Sequence, residues 1–162
     1  MRARPWLRSE AGNSATEFAL VMPMLAVLLF GFYEVGRLIW SYSIVASSVR
    51  DASRFASRLS MNCGGFVDGA DVARVQRLTR TGTVDTGGTP LVKNWTSDAS
   101  VTVAIDCVNN SAATYSGRFD GLTQIPRVTV TAVAPYPSAG IGLVSMLNVA
   151  DIRASHAEVW TQ

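Results

Sequence analysis

Hydrophobic residues are concentrated close to the amino terminus of the chain. Residues 18–32 read FALVMPMLAVLLFGF, fifteen positions without a charge or a hydroxyl group. As a helix they extend about 22 Å, which is short of the ~30 Å hydrocarbon core of a bilayer. Glu34 and Arg37 follow at a spacing that lets them pair or reach towards the membrane surface, and the apolar character resumes at residues 38–40. Taken as 18–40, the run is long enough to cross a membrane once.

A helical period continues beyond the apolar run. Between residues 41 and 59 one side is apolar and the opposite side carries serines and arginines. We therefore predict one helix from about residue 14 to residue 59, embedded in the membrane first and then laid against a globular head. Its small residues allow close packing, either with neighbouring helices in a fibre or with the protein's own sheet. The apolar stripe contains Val45, Val49, Ala52, Ala56 and Leu59 with Ile44 and Phe55 beside it, the polar side contains Ser43, Ser47, Arg50, Ser57 and Arg58, and the small residues are Ala46, Ser47, Ser48, Ala52 and Ser53.

A second, shorter helix is predicted after the break at NCGGF (62–66). It runs from Asp68 or Gly69 to Thr79 and is followed by a loop, 81–100, rich in glycine and hydroxyl groups. An arginine face exposed to solvent is favoured over a binding site for an acidic partner. The side chains predicted to point inward are Val72, Val75 and Leu78, and those predicted to point outward or to lie near the end of the helix are Arg74, Arg77 and Arg80.

Three strands are predicted in the remainder of the chain. Alternating apolar residues mark 100–108 and 126–134, and 149–160 alternates less regularly. The turn-rich stretch 109–124 is predicted to connect the first two strands as a hairpin. Ile141, Val144 and Leu147 lie at helical spacing within 139–148, which favours a short core helix over a partner surface. Together the elements predict an α+β, pilin-like fold: a long amino-terminal transmembrane helix packed on a small antiparallel β-sheet.

The distribution of charge indicates topology and argues against nucleic-acid binding. The chain carries 14 basic and 12 acidic residues, and Arg2, Arg4 and Arg8 all precede Gly12. The remainder is formally neutral, without the basic field that nucleic-acid binding requires. The positive-inside rule keeps residues 1–12 in the cytoplasm and places the head outside it. A cleaved secretory signal is the alternative, but no small-x-small site directly follows the run, so we predict retention in the membrane.

The two cysteines, Cys63 and Cys107, both follow the predicted span. If this region is exported, a disulfide closing a loop of about 44 residues is favoured, worth roughly 3–4 kcal/mol, and two separate buried thiols are the alternative. The sequence contains no CxxC motif or Cys/His cluster that indicates zinc or a redox dithiol. A lone histidine, His156, and the absence of catalytic or phosphate-binding motifs predict no enzymatic activity and no cofactor.

Glu17 stands where the bilayer begins, although an acidic side chain at a membrane boundary costs a few kcal/mol and needs a partner. No lysine or arginine lies one helical turn away from it. Cleavage after Gly12 would give Asn13 a free α-amine four residues before Glu17, and that amine can neutralise the carboxylate on its own chain or on a neighbour. The carboxylate also complements the helix dipole there.

Gly12 followed by Glu17 and Phe18 resembles the cleavage region of type IV prepilins. More closely, residues 12–56 are similar to the TadE-like family of tight-adherence (Tad, or Flp) pilus pseudopilins. Thr16 stands where an aliphatic residue is usual, and DAS replaces an acidic-Gly-Ala triplet before Arg54. TadG-like relatives share this amino terminus but carry a much larger extracellular part, so the length favours the TadE-like family. The matching elements are Gly12, EFALVMP (17–23), GFYEVGRLIW (31–40) and RDASRFA (50–56).

This resemblance implies a minor pseudopilin that is cut after Gly12 by prepilin peptidase, an aspartic membrane protease. Glu17 and Phe18 would serve assembly into an adhesive pilus, with other pilins, the Tad assembly platform and membrane lipid as partners. The chain would reside in the bacterial inner membrane as a cytoplasmic leader (1–12), a helical TadE-like region (13–59) and an extracytoplasmic head (60–162). Two alternatives stay open: an unprocessed, membrane-tethered binding module, and an exported enzyme whose mature chain starts after Trp40.

Overall fold

A computed structural model of the chain describes residues 11–136 and 149–161, with side chains from residue 14 onwards. Helix α1 spans Ala11–Ala56 and contains Pro23 without interruption. It ends three residues before the predicted boundary because the backbone tightens there. The N–H of Arg58 donates to the carbonyl of Phe55 and that of Leu59 to Ala56, each three residues back.

Helix α2 spans Asp71–Thr81 and ends at Gly82, which adopts a left-handed conformation with φ of 75°. The Gly82 N–H donates to the carbonyl of Leu78 at 2.9 Å, a helix-terminating bond that glycine accommodates without strain. Val75 is buried and Leu78 packs on the core, as predicted. The prediction for Val72 was wrong, since its side chain is exposed at the start of the helix.

The head contains two antiparallel sheets. A small hairpin pairs β1 (Met61–Asn62) with β2 (Gly65–Phe66), where the sequence indicated only a break. The main sheet has the order β3-β4-β5, with all neighbours antiparallel. The three predicted strands are therefore present, and the α+β, pilin-like fold class is confirmed. The strands of the main sheet are β3 (Val101–Asn109), β4 (Gln124–Pro135) and β5 (Asp151–Val159).

The core lies between the second half of α1 and one face of the main sheet. The predicted stripe is confirmed, because Val45, Val49, Ala52 and Ala56 are fully buried there. Alternate residues of β4 supply the opposing surface, as the two-residue period of a strand requires. These are Val128, Val130, Ala132 and Ala134.

Ser57 is a correction to the predicted polar side of the helix. It is buried, and its hydroxyl donates to the carbonyl of Arg54 at 3.0 Å. Its own carbonyl accepts the N–H of Thr161 at 3.0 Å, so the end of the described chain is fastened to the end of α1. The predicted helix at 139–148 lies outside the described residues.

Candidate functional site

The first half of α1 presents its apolar side chains to the surroundings. Within residues 11–136 and 149–161, one helix is long and apolar enough to cross a membrane, over Ser14–Ala56. An exposed apolar surface of this extent is stable when lipid or another helix covers it. Trp40, with 70% of its surface exposed, lies where the apolar stretch ends. The exposed apolar side chains include Phe18, Leu20, Met24, Leu29, Phe32 and Ile39.

The predicted processing residues Gly12 and Asn13 lie in the first turn of α1. Glu17 and Phe18 follow one turn later, and both side chains are exposed. Because residues four apart lie on the same face of a helix, Asn13 and Glu17 share one side of α1. A carboxylate and a new amine at these two positions would therefore be neighbours.

Glu34 is a buried acidic residue in an otherwise exposed stretch of helix, with 3% of its surface accessible. The hydroxyl of Tyr136, directly after β4, donates to the backbone carbonyl of Glu34 at 3.2 Å. Burial of Tyr136, together with the nearby Glu34 charge, raises the pKa of the phenol above 10.0, so the hydroxyl stays a donor at neutral pH. The head thus holds α1 where the apolar run ends.

Arg37 completes this junction from the helix side. Its guanidinium carbon lies 5.9 Å from the centre of the Tyr33 ring, which is within the range of a cation–π contact. Sequence reasoning recognised that Glu34 and Arg37 are close along the helix but missed Tyr136. The only local signal was its position between two prolines that end the strand.

Cys63 and Cys107 form a disulfide, with Cα atoms 5.6 Å apart. Cys63 lies in the turn of the β1–β2 hairpin shortly after α1, and Cys107 lies on β3. The disulfide that the sequence favoured is therefore present, and it fastens the region that follows α1 to the edge of the main sheet.

Two grooves on α1 are larger than a third one of about 380 Å³, which is lined by Pro23, Met24, Val27 and Leu28. The lower groove, of about 910 Å³, follows the apolar run and includes Phe18, Met22, Ala26, Leu29, Tyr33 and Arg37. The upper groove, of about 450 Å³, lies between α1 and α2 and includes Trp40, Ser43, Ser47, Asp51, Leu78 and Leu91. The walls of both grooves are mainly apolar, which suits a helix more than a polar ligand.

Arg74 is exposed, as predicted, whereas Arg77 and Arg80 are partly buried and contact the loop that follows α2, which corrects the predicted solvated face at these two positions. Arg77 donates from Nε to the carbonyl of Val84 at 2.9 Å. Arg80 pairs with Asp98 at 2.5 Å, and only 15% of its side chain is exposed. Arg74 pairs with Asp71 at 2.8 Å. The contacts of Arg77 and Arg80 hold the 82–100 loop against the helix. Together with the Arg74–Asp71 pair, they leave little free charge for an acidic partner.

His156 lies on the face of β5 that is turned towards α1, with Nε2 3.1 Å from Oε1 of Glu158. Arg54 approaches the same carboxylate oxygen at 3.8 Å. These contacts give the histidine a structural environment at the helix–sheet boundary. Within the part of the chain that the structure describes, no three His, Cys, Asp or Glu residues form a group suited to a metal ion.

A long apolar helix, packed through its second half on a small antiparallel sheet, defines a membrane-anchored, pilin-like protein. The model of the TadE family, described as TadE-like protein, matches residues 12–54. The resemblance noted in the sequence is thereby confirmed for this region, and α1 is a TadE-like helix over nearly its whole length. The match covers about a quarter of the chain, and the sheet lies outside it. Searches of curated proteins and of solved structures gave no significant match.

Proposed function

We propose that this protein is a minor pseudopilin of a Tad (Flp) pilus, cut after Gly12 by prepilin peptidase and assembled through its amino-terminal helix. The observation that carries this proposal is the TadE-like match over residues 12–54, which coincides with α1. Within that match, Glu17 and Phe18 are exposed one turn after the cleavage position. The proposed role of the protein is structural rather than catalytic.

The proposed topology has residues 1–12 in the cytoplasm and the head outside it. Three arginines on the short side of the apolar run support this orientation. The Cys63–Cys107 disulfide supports it as well, since such bridges persist in oxidising compartments. The division into leader (1–12), helical region (13–59) and head (60–162) follows from this topology, with the bacterial inner membrane as the site of residence.

The proposed partners are other pilins, the assembly platform, prepilin peptidase and lipid. The first half of α1 exposes apolar side chains along its length. This exposure supports lipid as the surroundings of the helix in the membrane, and the helices of neighbouring pilins as its surroundings after assembly. A carboxylate at position 17 supports recruitment into a fibre, because the α-amine of Asn13 on its own chain or on a neighbouring chain can neutralise it.

The decisive experiment is intact mass with amino-terminal sequencing of protein taken from membranes and from sheared filaments. We expect a chain that begins at Asn13. A chain that still begins at Met1 in both fractions contradicts processing and favours the membrane-tethered binding module. A chain that begins after Trp40 favours an exported protein with a cleaved signal.

Glu17→Ala tests the assembly role separately. We expect this variant to insert and to be cut, yet to enter filaments poorly. Asp85→Ala is the matched control, because Asp85 is an exposed acid in the loop after α2, outside the amino-terminal helix. Normal pili from Glu17→Ala would remove the proposed role of this carboxylate.

A further inference from the structure

The loop between α2 and β3 lies at the membrane end of the head. β3 begins at Val101, close to the end of the sheet where β4 finishes and β5 starts. Tyr136, directly after β4, reaches α1 at Glu34, near the end of the apolar run. Residues 82–100, which lead into β3, therefore lie on the side of the head that faces the bilayer.

Leu91 is an apolar residue that this loop holds out of the core. Its side chain leaves 40% of the residue exposed, although Val92 and Trp95 close by are buried. The Leu91 N–H donates to the carbonyl of Arg80, near the end of α2, at 2.9 Å. Because the backbone is fixed on both sides of Leu91, its exposure is a property of the fold rather than of a loose loop.

Leu91 shares the upper groove with the helix that forms the anchor. Trp40 and Ile44 line this groove from α1, and Leu78 and Leu91 line it from the head. Trp40 is also the residue at which the exposed apolar stretch of α1 ends, and tryptophan is enriched where hydrocarbon meets the headgroups. The groove therefore continues the lipid-facing surface of the anchor onto the head, so no second macromolecule is needed to cover it.

Lys93 adds a positive charge beside this apolar surface. It is the only lysine in the chain, it is exposed, and none of the ion pairs among the described residues uses it. A leucine next to a lysine suits a membrane surface, because the apolar group enters the boundary region while the long lysine stem carries its ammonium to the phosphates. Asp85 lies in the same loop, so charge alone does not hold the loop on the membrane and Leu91 supplies the main part of the contact.

We propose that the loop between α2 and β3 rests on the outer surface of the membrane that α1 crosses. Leu91 enters the boundary between hydrocarbon and headgroups beside Trp40, and Lys93 pairs with lipid phosphates. An acyl chain of a neighbouring lipid fills the lower end of the upper groove. The head then touches the bilayer at two points, the helix and the loop, which gives it one orientation relative to the membrane. This inference rests on the proposed topology and adds to it a lipid contact made by the head.

Fluorescence of the labelled full-length protein in vesicles tests the contact. Both native cysteines lie in the disulfide, so Leu91→Cys can carry a single environment-sensitive fluorophore. In vesicles of phosphatidylethanolamine and phosphatidylglycerol we expect blue-shifted emission that brominated lipid quenches. Val67→Cys is the matched control and should show neither effect, because Val67 is an exposed apolar residue whose N–H bonds to Ser60, beyond the far end of α1.

The outcomes that overturn the proposal are distinct. Equal quenching at positions 91 and 67, or no quenching at 91, would reject a specific membrane contact of this loop. A blue shift at position 91 without quenching by lipid would mean that a protein surface covers the groove, and it would reject lipid as the occupant. An unchanged thermal melt of the head checks folding, and Lys93→Cys offers a second label position in the same loop if Leu91→Cys unfolds.

Lys93→Gln tests the pairing with phosphate. With the fluorophore at position 91 and phosphatidylglycerol in the vesicles, this change should lower the ratio of membrane-bound to free loop about fivefold, the scale expected for one lysine at an anionic surface. It should have little effect in vesicles of phosphatidylcholine alone, which carry no net charge. Arg118→Gln removes an exposed cation from the β3–β4 connection and is the control, with no change expected in either vesicle. Quenching that is unchanged by Lys93→Gln in anionic vesicles would contradict the role of Lys93.

Intact mass of protein from native membranes separates this inference from the proposed function. It reports whether residues 1–12 are removed, independently of the fluorescence. A processed chain whose label at position 91 is not quenched by lipid would retain the pilin and reject the contact. A chain that keeps residues 1–12 and is quenched at position 91 would retain the contact and reject the processed pilin.

Discussion

The two halves of α1 are both apolar, yet they meet different surroundings. In the first half Val27 exposes 61% of its surface, whereas Val49 in the second half exposes 1%. The first half is covered by nothing in the described head except near Glu34, where Tyr136 reaches the helix. The second half is covered along one side by β4 and β5.

This difference shows that hydrophobicity alone does not determine whether an apolar residue is exposed to the surroundings or packed against the protein's own head. The apolar run from residue 18 has few small polar residues and extends around the whole helix, which suits lipid. The stretch from residue 41 confines its apolar residues to one stripe and fills the rest with serine and arginine, which suits a helix lying on a sheet in water. The TadE-like match crosses both halves, so the family pattern joins an anchor to a docking helix.

Removal of the disulfide should have the largest effect, and it should act on the head alone. The bridge closes a loop with a sequence separation of 44. Cys63→Ser combined with Cys107→Ser should lower the free energy of unfolding of the head by about 3–4 kcal/mol, because the unfolded chain gains entropy. Urea unfolding in detergent micelles measures this loss. Carbonate extraction from membranes should show unchanged insertion, and a variant that fails to insert would contradict the independence of the two halves.

A matched pair of valine substitutions tests the comparison directly. Val49→Ala removes buried methyl groups and should cost the head about 2 kcal/mol, from lost burial and the cavity left behind. Val27→Ala makes the same chemical change in the exposed half and should leave thermal unfolding of the head unchanged. Equal shifts in the two melting curves would mean that both halves support the head, against the structure.

The contact between Tyr136 and Glu34 joins the two halves, and its loss should have a smaller effect. Tyr136→Phe removes the hydroxyl that donates to the Glu34 carbonyl, at a cost of about 1 kcal/mol. Hydrogen exchange should become faster in the helix around residue 34 while exchange in β4 stays slow. Unchanged exchange around residue 34 would show that this hydrogen bond does not restrain the helix.

Local periodicity accounts for the parts of the fold that could be predicted. The 3.6-residue stripe of α1 located the docking face, and the two-residue alternation located the three long strands. The β1–β2 hairpin escaped detection because strands of two residues each are too short to show an alternation. Val72 was assigned inward on spacing alone, but it precedes the part of α2 that contacts the core.

The remaining errors arise from contacts between residues remote in sequence. Ser57 is buried because Thr161, 104 residues later, packs against it. Glu34 is held by Tyr136 across 102 residues. Arg80 is largely buried because Asp98 returns over α2. The local sequence pattern around a polar residue cannot reveal a partner that is distant in sequence. These long-range contacts hold α1, α2 and the rest of the head together.

The smallest expected effect concerns the outer face of the sheet, which α1 does not touch. Arg127 on β4 forms a two-armed pair with its cross-strand neighbour Asp106 on β3, with Nε and Oδ1 3.1 Å apart. Hydrogen bonding from Arg127 lowers the pKa of Asp106 below its usual 3.8. The Asp106 carboxylate therefore binds a proton less readily in the folded head than in the unfolded chain. The ion pair stabilises the head fully at pH values above the unfolded pKa, and this stabilisation is lost as the pH falls through the lower pKa of the folded head.

Asp106→Asn should accordingly lower the melting temperature of the head slightly at about pH 6, and the gap from wild type should narrow towards about pH 3. The effect is small because both side chains are exposed, and salt at about 1 M should reduce it further. Differential scanning calorimetry of wild type and variant measures both trends. A gap that stays constant across this pH range would show that the substitution acts on packing of the strand pair rather than on its charge. In that case the outer face of the sheet, like the face packed on α1, would stabilise the head through side-chain packing. The difference between a covered side and an open side would then apply to α1 but not to the sheet.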